Sequence, residues 1–447
     1  MKDITKGNLS KNFILYAIPV IISGVLSQAY LTVDKIMVGQ VLGEVGLAAL
    51  GSTGSFITLM KSIIWGLGTG ISLYVAFLST GEDKKRLVNA IKVNLLAVFA
   101  LAFLISAVSL ALYFPIFNML AIGEDIWHDA LVYYAIYMCG FSFLTFSNAV
   151  TYIFNALGKP SFPMKVSIAS SLLNILFNFI FMIFLKWGVA GAAFGTLLAS
   201  LISAVIYLIQ LKREVSGISK EKVPMSKRDI TPAWRQGIPC MLQQFIMYVS
   251  GAAVQPAVNL LGTAAIAAYS VCSEIYSICA TIFQNSSRGL SPFCAQCYGK
   301  GNPSLVKRGV GVSVRQGILL SLPIMAFFMI FPNKIADVFL GDNASEESIN
   351  YVVTYILICI PFILCQIINN LFHNFYRGVM MPKIAMITTL AYSLVRVITT
   401  YALVFSLGMM GVFLGFIIPW FVECVLSIVI YLSGKWKNEA YRRNEQK

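Results

Sequence analysis

Twelve separate apolar runs, each long enough to cross a lipid bilayer, dominate the sequence and leave little material for a soluble core. They cover residues 13–38, 46–80, 93–114, 130–155, 166–185, 188–211, 236–260, 264–298, 316–333, 351–376, 384–407 and 411–432. About 20 apolar residues in a helix match a hydrocarbon thickness of ~30 Å. In lipid every backbone N–H and C=O must find a partner inside the protein, and single runs of this length do so as helices. The composition agrees, with 58% of residues hydrophobic and 12% charged, against about a quarter charged in a soluble domain. The fold class is therefore all-α and polytopic, with twelve transmembrane helices and no soluble domain between them.

A net charge of +14 raises the question of nucleic-acid binding. The distribution of the charge argues against it. Lys and Arg gather in the amino terminus (Lys2, Lys6, Lys11), in alternate loops and in the tail, whereas the other loops hold Glu44, Glu124, Asp125, Asp342, Glu346 and Glu347. This is the positive-inside pattern. It predicts a multi-pass protein of the inner (plasma) membrane with both termini cytoplasmic and no nucleic-acid partner. The first apolar run exceeds a signal-peptide core and no small-residue cleavage site follows it, so it reads as a retained anchor. The nine cysteines all lie inside apolar runs; Cys294 and Cys297 spell CxxC, but burial in an apolar helix makes them packing residues rather than a zinc or disulfide module.

A repeat of about 220 residues organises the chain. Ile18-Pro19-Val20 recurs as Ile238-Pro239-Cys240, Gly43 with Leu47-Ala48-Ala49 as Gly262 with Ile266-Ala267-Ala268, and Gly188, Gly191 and Gly195 as Gly408, Gly411 and Gly415. Six spans per repeat is an even number, so both halves enter the membrane in the same direction, as parallel repeats do in some secondary transporters. The expected division is a first six-helix lobe over 1–210, a cytoplasmic linker over 211–235, a second lobe over 236–434 and a tail over 435–447. Spans two and eight are longer than the bilayer requires and must tilt, bend or project. Pro19, Pro239, Pro256, Pro292, Pro323, Pro361 and Pro419 lie inside spans and mark candidate kinks.

No enzyme signature is present. There is no zinc-type ligand spacing, no phosphate loop and no nucleophile elbow. His128 and His373 fall at predicted helix ends on opposite sides of the membrane, which speaks against a relay between them. Chemistry must then rest on polar residues inside the spans. Asp34 leads, because a lone intramembrane acid is costly and marks function by default, though near a helix end it could equally reach interfacial water or pair with Lys35. Asn174 and Asn178 share one face of span five, and Thr196 lies in span six. Their oxygens could hold a sodium ion or hydrogen-bond a carboxyl that gains and loses a proton; helix–helix adhesion is the competing reading. Gln28, Lys61, Gln255, Glu274, Gln284, Arg288 and Gln366 are candidates for lining a substrate cavity. Arg396 and Glu423, on neighbouring spans, form a candidate structural ion pair.

Taken together, these residues resemble the multidrug and toxic compound extrusion (MATE) transporters. The likeness is carried by Asp34 with Val38-Gly39, Leu42-Gly43 and Leu47-Ala48-Ala49, by Asn174-Ile175-Leu176-Phe177-Asn178, by Gly188-Val189-Ala190-Gly191-Ala192-Ala193, and by Arg377-Gly378 with Arg396. The resemblance implies two six-helix bundles around a central cavity, exchanging a proton or a sodium ion for an organic, often cationic, drug. It also implies a monomer that needs no cofactor and meets only small organic substrates and membrane lipid. Within it Asp34, Asn174, Asn178 and Thr196 would form the cation-coupling site, with no metal beyond a possible sodium at Asp34. Many relatives carry a second acid where this chain has Asn178, so Asp34 would be the one obvious carboxylate of that lobe. Relatives that couple through the second lobe use acids in spans seven and ten; here span seven has none and Gln366 stands near the span-ten position. Two other classes were weighed: a flippase for lipid-linked oligosaccharide or lipid II, and an intramembrane enzyme acting on lipid. The first would call for a strongly cationic cavity and the second for convergent acids or a metal, and the sequence offers neither.

Overall fold

The structure, a computed structural model, describes residues 9–120, 122–219, 221, 223–300, 302–341 and 345–437. Within that range only the backbone is described for residues 29–32, 34–36, 44, 45, 47, 55 and 303. The chain is helical almost throughout, and among the described residues there is no strand. Among the described residues, twelve helices are long and apolar enough to cross a membrane. They match the twelve expected runs one for one.

The helical stretch Leu9–Ser79 holds spans one and two, divided at Gly43, whose φ of 65° interrupts the helix. Spans three to six are Lys84–Ala111, Trp127–Ala156, Ser161–Phe184 and Gly188–Ile218. Spans seven to twelve are Lys227–Asn259, Thr263–Gly299, Ser304–Ile330, Glu346–Gly378, Pro382–Leu407 and Met409–Leu432. The repeat is visible in the backbone itself. Gly43 and Gly262 both take positive φ before the second span of their halves, and Gly188 (59°) and Gly408 (56°) both do so before the sixth. These are conformations in which a Cβ is strained, which explains why glycine recurs there at a fixed offset.

Of the seven prolines inside spans, two sit at interruptions. Span eight breaks into Thr263–Ser287 and Leu290–Gly299. Pro292 accounts for the break, since its ring has no N–H to give and crowds the carbonyl four residues earlier, at Arg288. Span ten passes through a tight turn at Ile360–Phe362 around Pro361. The others are accommodated without a break. One distortion had no proline to announce it: the last turn of span five, Phe179–Phe184, is a π-helix.

Two compact units result, and their boundaries do not coincide with the sequence halves. The first lobe is Ile22–Met241, so it includes the linker and the opening turns of span seven. The second is built from 9–21 and 242–437. Within the first, spans four and six, five and six, and three and four pack against one another. Tyr134, Phe117, Phe141 and Ile64 are fully buried between them. Within the second, spans eleven and twelve form the largest helix pair, and Trp420, Phe413, Tyr355 and Phe283 fill the core. The outward faces are apolar instead of polar: Phe103, Leu172, Ile398 and Phe405 are each more than 60% exposed. Such surfaces belong against lipid.

Each lobe anchors the start of a helix from the other sequence half. In the first, Asn94 donates to the Asp229 carbonyl (3.1 Å), and the buried Asp229 carboxylate accepts from Tyr74 (2.8 Å), Asn89 (2.7 Å) and Arg86 (3.1 Å). The end of the linker is thus docked by a network of charge-assisted bonds and is not merely solvated. In the second, Gln316 donates to the Ser10 carbonyl (2.9 Å). Further along span seven the helices of the first lobe touch backbone to backbone. A Cβ on Gly70 would overlap the backbone of Gly237, and one on Gly66 that of Met241. Gly70→Ala is therefore expected to force the two helices apart, at about 1–3 kcal/mol by analogy with overpacked cores. Gly251→Ala, with open space at its Cβ, is the control and should be neutral or slightly stabilising; thermal unfolding of the purified protein checks both.

Candidate functional site

Span five delivers two amides to the interior one helical turn apart, and span six delivers a hydroxyl to meet them. Asn174 and Asn178 are 3% and 1% exposed, a costly placement in an apolar bundle unless they are hydrogen-bonded. They are linked in sequence: Asn178 Nδ2 donates to Asn174 Oδ1 (3.0 Å), Asn174 Nδ2 to Thr196 Oγ1 (3.1 Å), and Thr196 Oγ1 to the Ala192 carbonyl (3.2 Å). The three neutral candidates of the coupling site are thus brought together as one chain of donors, with Asn178 Oδ1 at its head. Gly195 makes the approach possible, because a Cβ there would overlap Asn178 Oδ1.

The local distortion of span five follows from the repeat. In the second lobe the matching contact is Gly415 against Thr400, and Gly411 approaches Leu403 as Gly191 approaches Phe181. The segment from Asn178 to Gly188 is two residues longer than that from Thr400 to Gly408. The π-helical turn takes up part of that extra length, as single-turn π segments near functional sites commonly do. Stacked rings brace the widened turn, with Phe181 5.1 Å from Trp187 and 6.0 Å from Phe177.

Span one reaches the same region. Ser27 Oγ lies 3.4 Å from Ser167 Oγ of span five, and further along, Val38 is fully buried in a cluster with Met182 of the π turn and Ala192 of span six. Asp34 is helical and lies between these two contacts. Its side chain, with that of Lys35, is outside the described residues.

The cavity candidates are distributed over both lobes. In the first, Gln28 is half-buried and the Lys61 ammonium lies 5.0 Å from the centre of the Tyr137 ring, a cation–π contact. In the second, Gln255 donates to Asn259 (2.9 Å), Glu274 and Gln284 are half-buried and Arg288 is exposed at the break in span eight. Gln366 is buried in span ten.

The expected pairing of Arg396 with Glu423 is not what forms. The Arg396 guanidinium lies 4.9 Å over the Phe416 ring and donates to Tyr392 and Tyr269, both at 3.4 Å. Glu423 instead meets His373: Oε1 and Nε2 are 2.9 Å apart, with both residues buried. The reason is geometric. Spans ten and twelve pack together in this lobe, which brings the carboxylate to the imidazole, while an aromatic cage already satisfies the guanidinium. Sequence reasoning missed His373 because it weighed this histidine only against His128, on the opposite side of the membrane, and not against an acid on a neighbouring span. A usable signal was present, since an acid and a histidine stand inside two spans that run in the same direction.

The MatE family model matches residues 19–180 and 239–402, once in each half of the repeat. The chain is 22% identical to the probable multidrug resistance protein YpnP of Bacillus subtilis, over 97% of each chain. It is 23% identical to the probable multidrug resistance protein NorM of Thermotoga maritima, over 98% of this chain and 95% of that one. A solved multidrug resistance MATE family transporter in an outward-facing conformation shares the fold with a TM-score of 0.90 at 22% identity, covering 98% of both chains. This chain belongs to the MATE family of multidrug efflux transporters.

Proposed function

We propose that the protein is a cation-coupled antiporter of the plasma membrane that exports organic, often cationic, compounds by alternating access, with Asp34 as the coupling carboxylate. The observation that carries this reading is a register. Spans one and five, both odd-numbered, run in the same direction, and Ser27 meets Ser167. Seven residues further along each helix, two turns, stand Asp34 and Asn174. The buried amide chain is thus level with the acid, next to the cluster of Val38, Met182 and Ala192. An acid inside the membrane, with neutral hydrogen-bonding groups at its level, can exist protonated or charged, and the difference alters what its surroundings must solvate.

The proton fits this donor set better than sodium does. Asn174 Oδ1 and Thr196 Oγ1 already accept from amide N–H groups, which leaves fewer lone pairs than a sodium ion bound without water would use. No ATP-binding motif is present, so an ion gradient supplies the work, about 2.3 kcal/mol per charge per 100 mV. Substrate would meet half-buried polar positions within a lobe, Gln28 and Lys61 in the first or Glu274 and Gln284 in the second. Both termini would face the cytoplasm. A flippase for lipid-linked oligosaccharide is not favoured, since the relatives named above are multidrug resistance proteins.

Transport of a fluorescent organic cation into inside-out vesicles tests the reading, with proton and sodium gradients imposed one at a time. The proton gradient alone should drive accumulation, and Asp34→Asn should reduce it to the background of empty vesicles while leaving membrane insertion intact. A fully active Asp34→Asn variant would remove Asp34 from the mechanism. Gly195→Ala is the second test. It displaces the buried Asn178 amide, so stability should fall by about 1–3 kcal/mol, as in an overpacked core, with the protein still folding and inserting. Gradient-driven uptake should nevertheless fall several-fold.

A further inference from the structure

The mechanism above leaves unused the one buried acid–imidazole contact among the described residues, His373 with Glu423 in the second lobe. We propose that this pair is a second proton-binding site of the transporter, distinct from the Asp34 region and coupled to the same transport cycle. The pair is built rather than incidental. Glu423 is 2% exposed and His373 8%, and Glu423 Oε1 lies 2.9 Å from His373 Nε2. Thr388 and Thr389 of span eleven place both hydroxyls 3.4 Å from the same nitrogen. Gln243 of span seven, fully buried, donates to Thr389 Oγ1 (2.7 Å) and accepts from the Arg377 guanidinium. Spans eleven and twelve therefore converge on the imidazole of span ten, with span seven behind them through Gln243.

The chemistry follows from the two atoms in contact. With one titratable proton the pair is a neutral imidazole whose Nε2–H donates to the carboxylate, with Nδ1 bare, and it carries one negative charge. A second proton, taken up at the free imidazole nitrogen, makes the pair an imidazolium with a carboxylate, neutral overall. Inside an apolar bundle the neutral form is favoured, because an uncompensated buried charge is expensive. Exposure to water lowers that penalty and permits release. Uptake with the pair closed and release with it opened is the behaviour that a coupled proton site requires.

The surrounding charges are compatible with this exchange. On span ten the nearest guanidinium, Arg377, acts through Gln243 and not directly. From span eight the Tyr276 phenol, from span eleven Tyr392 and from span twelve Cys424 interact electrostatically with Glu423. Arg396 stands behind Tyr392 and is held by its own aromatic cage. Cys294, from the second half of span eight, faces span ten at Gly378, and Arg315 of span nine is exposed. None of these groups makes the 2.9 Å contact with the imidazole that Glu423 makes.

The coupling half of the proposal rests on the antiport reading; proton binding does not, and the test separates them. The chain has two histidines, so His128→Gln, at an exposed position, leaves His373 as the single imidazole. In full-length protein labelled with ¹⁵N-histidine and held in lipid nanodiscs, the His373 resonances should report gain and loss of a proton as the pH is varied over the range in which the protein stays folded. Glu423→Gln, which removes the partner of Nε2, should alter that change. An imidazole that keeps one protonation state across the range overturns the proposal, whatever the variants do. In proteoliposomes, His373→Gln and Glu423→Gln should export fewer protons' worth of gradient per drug molecule and lose the acidic limb of the pH profile. An unchanged stoichiometry and profile overturns the coupling. Asp34→Asn should leave the His373 titration intact, so failure at one site is not mistaken for failure at the other.

Discussion

The exclusion of water from the bilayer interior is the constraint on which this structure depends. It forces the backbone into helices, and it forces each side-chain donor to find an acceptor within the protein. Most hydroxyls solve the problem locally: Thr69, Thr145, Ser106 and Ser203 each donate to a carbonyl four residues back on their own helix. Such bonds hold nothing else in place. The informative groups are those that reach across to another helix. In the first lobe these include Asn174 with Thr196 and the Asp229 network; in the second they include Glu423 with His373 and Gln243 with Thr389. Buried polar networks of this kind become costly when partly satisfied, so each is a place where a proton, an ion or a change of packing has consequences.

The two lobes share a hairpin and use it differently. Matching Gly195 against Asn178 with Gly415 against Thr400 sets Asn174 opposite Arg396, four residues earlier in each helix, and Thr196 opposite Phe416, one residue after each glycine. The contacts correspond as well. Where Asn174 donates to Thr196 in the first lobe, Arg396 lies over Phe416 in the second. One scaffold therefore presents neutral oxygens, to which a cation can come and go, and the other presents a guanidinium that is covalently attached. A fixed cation that is always charged cannot titrate, so in the second lobe the proposed exchangeable proton sits elsewhere, at His373 and Glu423.

Much of this was readable from the residues alone. Twelve runs became twelve helices because hydropathy measures directly the transfer that the bilayer imposes, and the glycine offsets of the repeat correspond to positive φ at Gly43, Gly262, Gly188 and Gly408. The grouping of Asn174, Asn178 and Thr196 was also legible, since i, i+4 spacing fixes a face and a short hairpin fixes the neighbour. What escaped was whatever depends on packing between distant spans. Arg396 and Glu423 have opposite charge and adjacent helices, yet charge says nothing about azimuth, and rotation about each helix gave both residues other partners. The lobe boundaries inside spans one and seven, and the π turn at Phe179–Phe184, depend likewise on contacts made far along the chain.

The central claim is that binding of an organic cation and binding of a proton at Asp34 exclude one another, a linkage that must appear in equilibrium binding before any transport occurs. The most direct measurement is proton release when tetraphenylphosphonium is added to the purified protein in weakly buffered nanodiscs, read with a pH indicator. The account predicts release that rises with bound drug near neutral pH and is lost in Asp34→Asn. Drug binding that displaces no proton, or an equal release from Asp34→Asn, would contradict it.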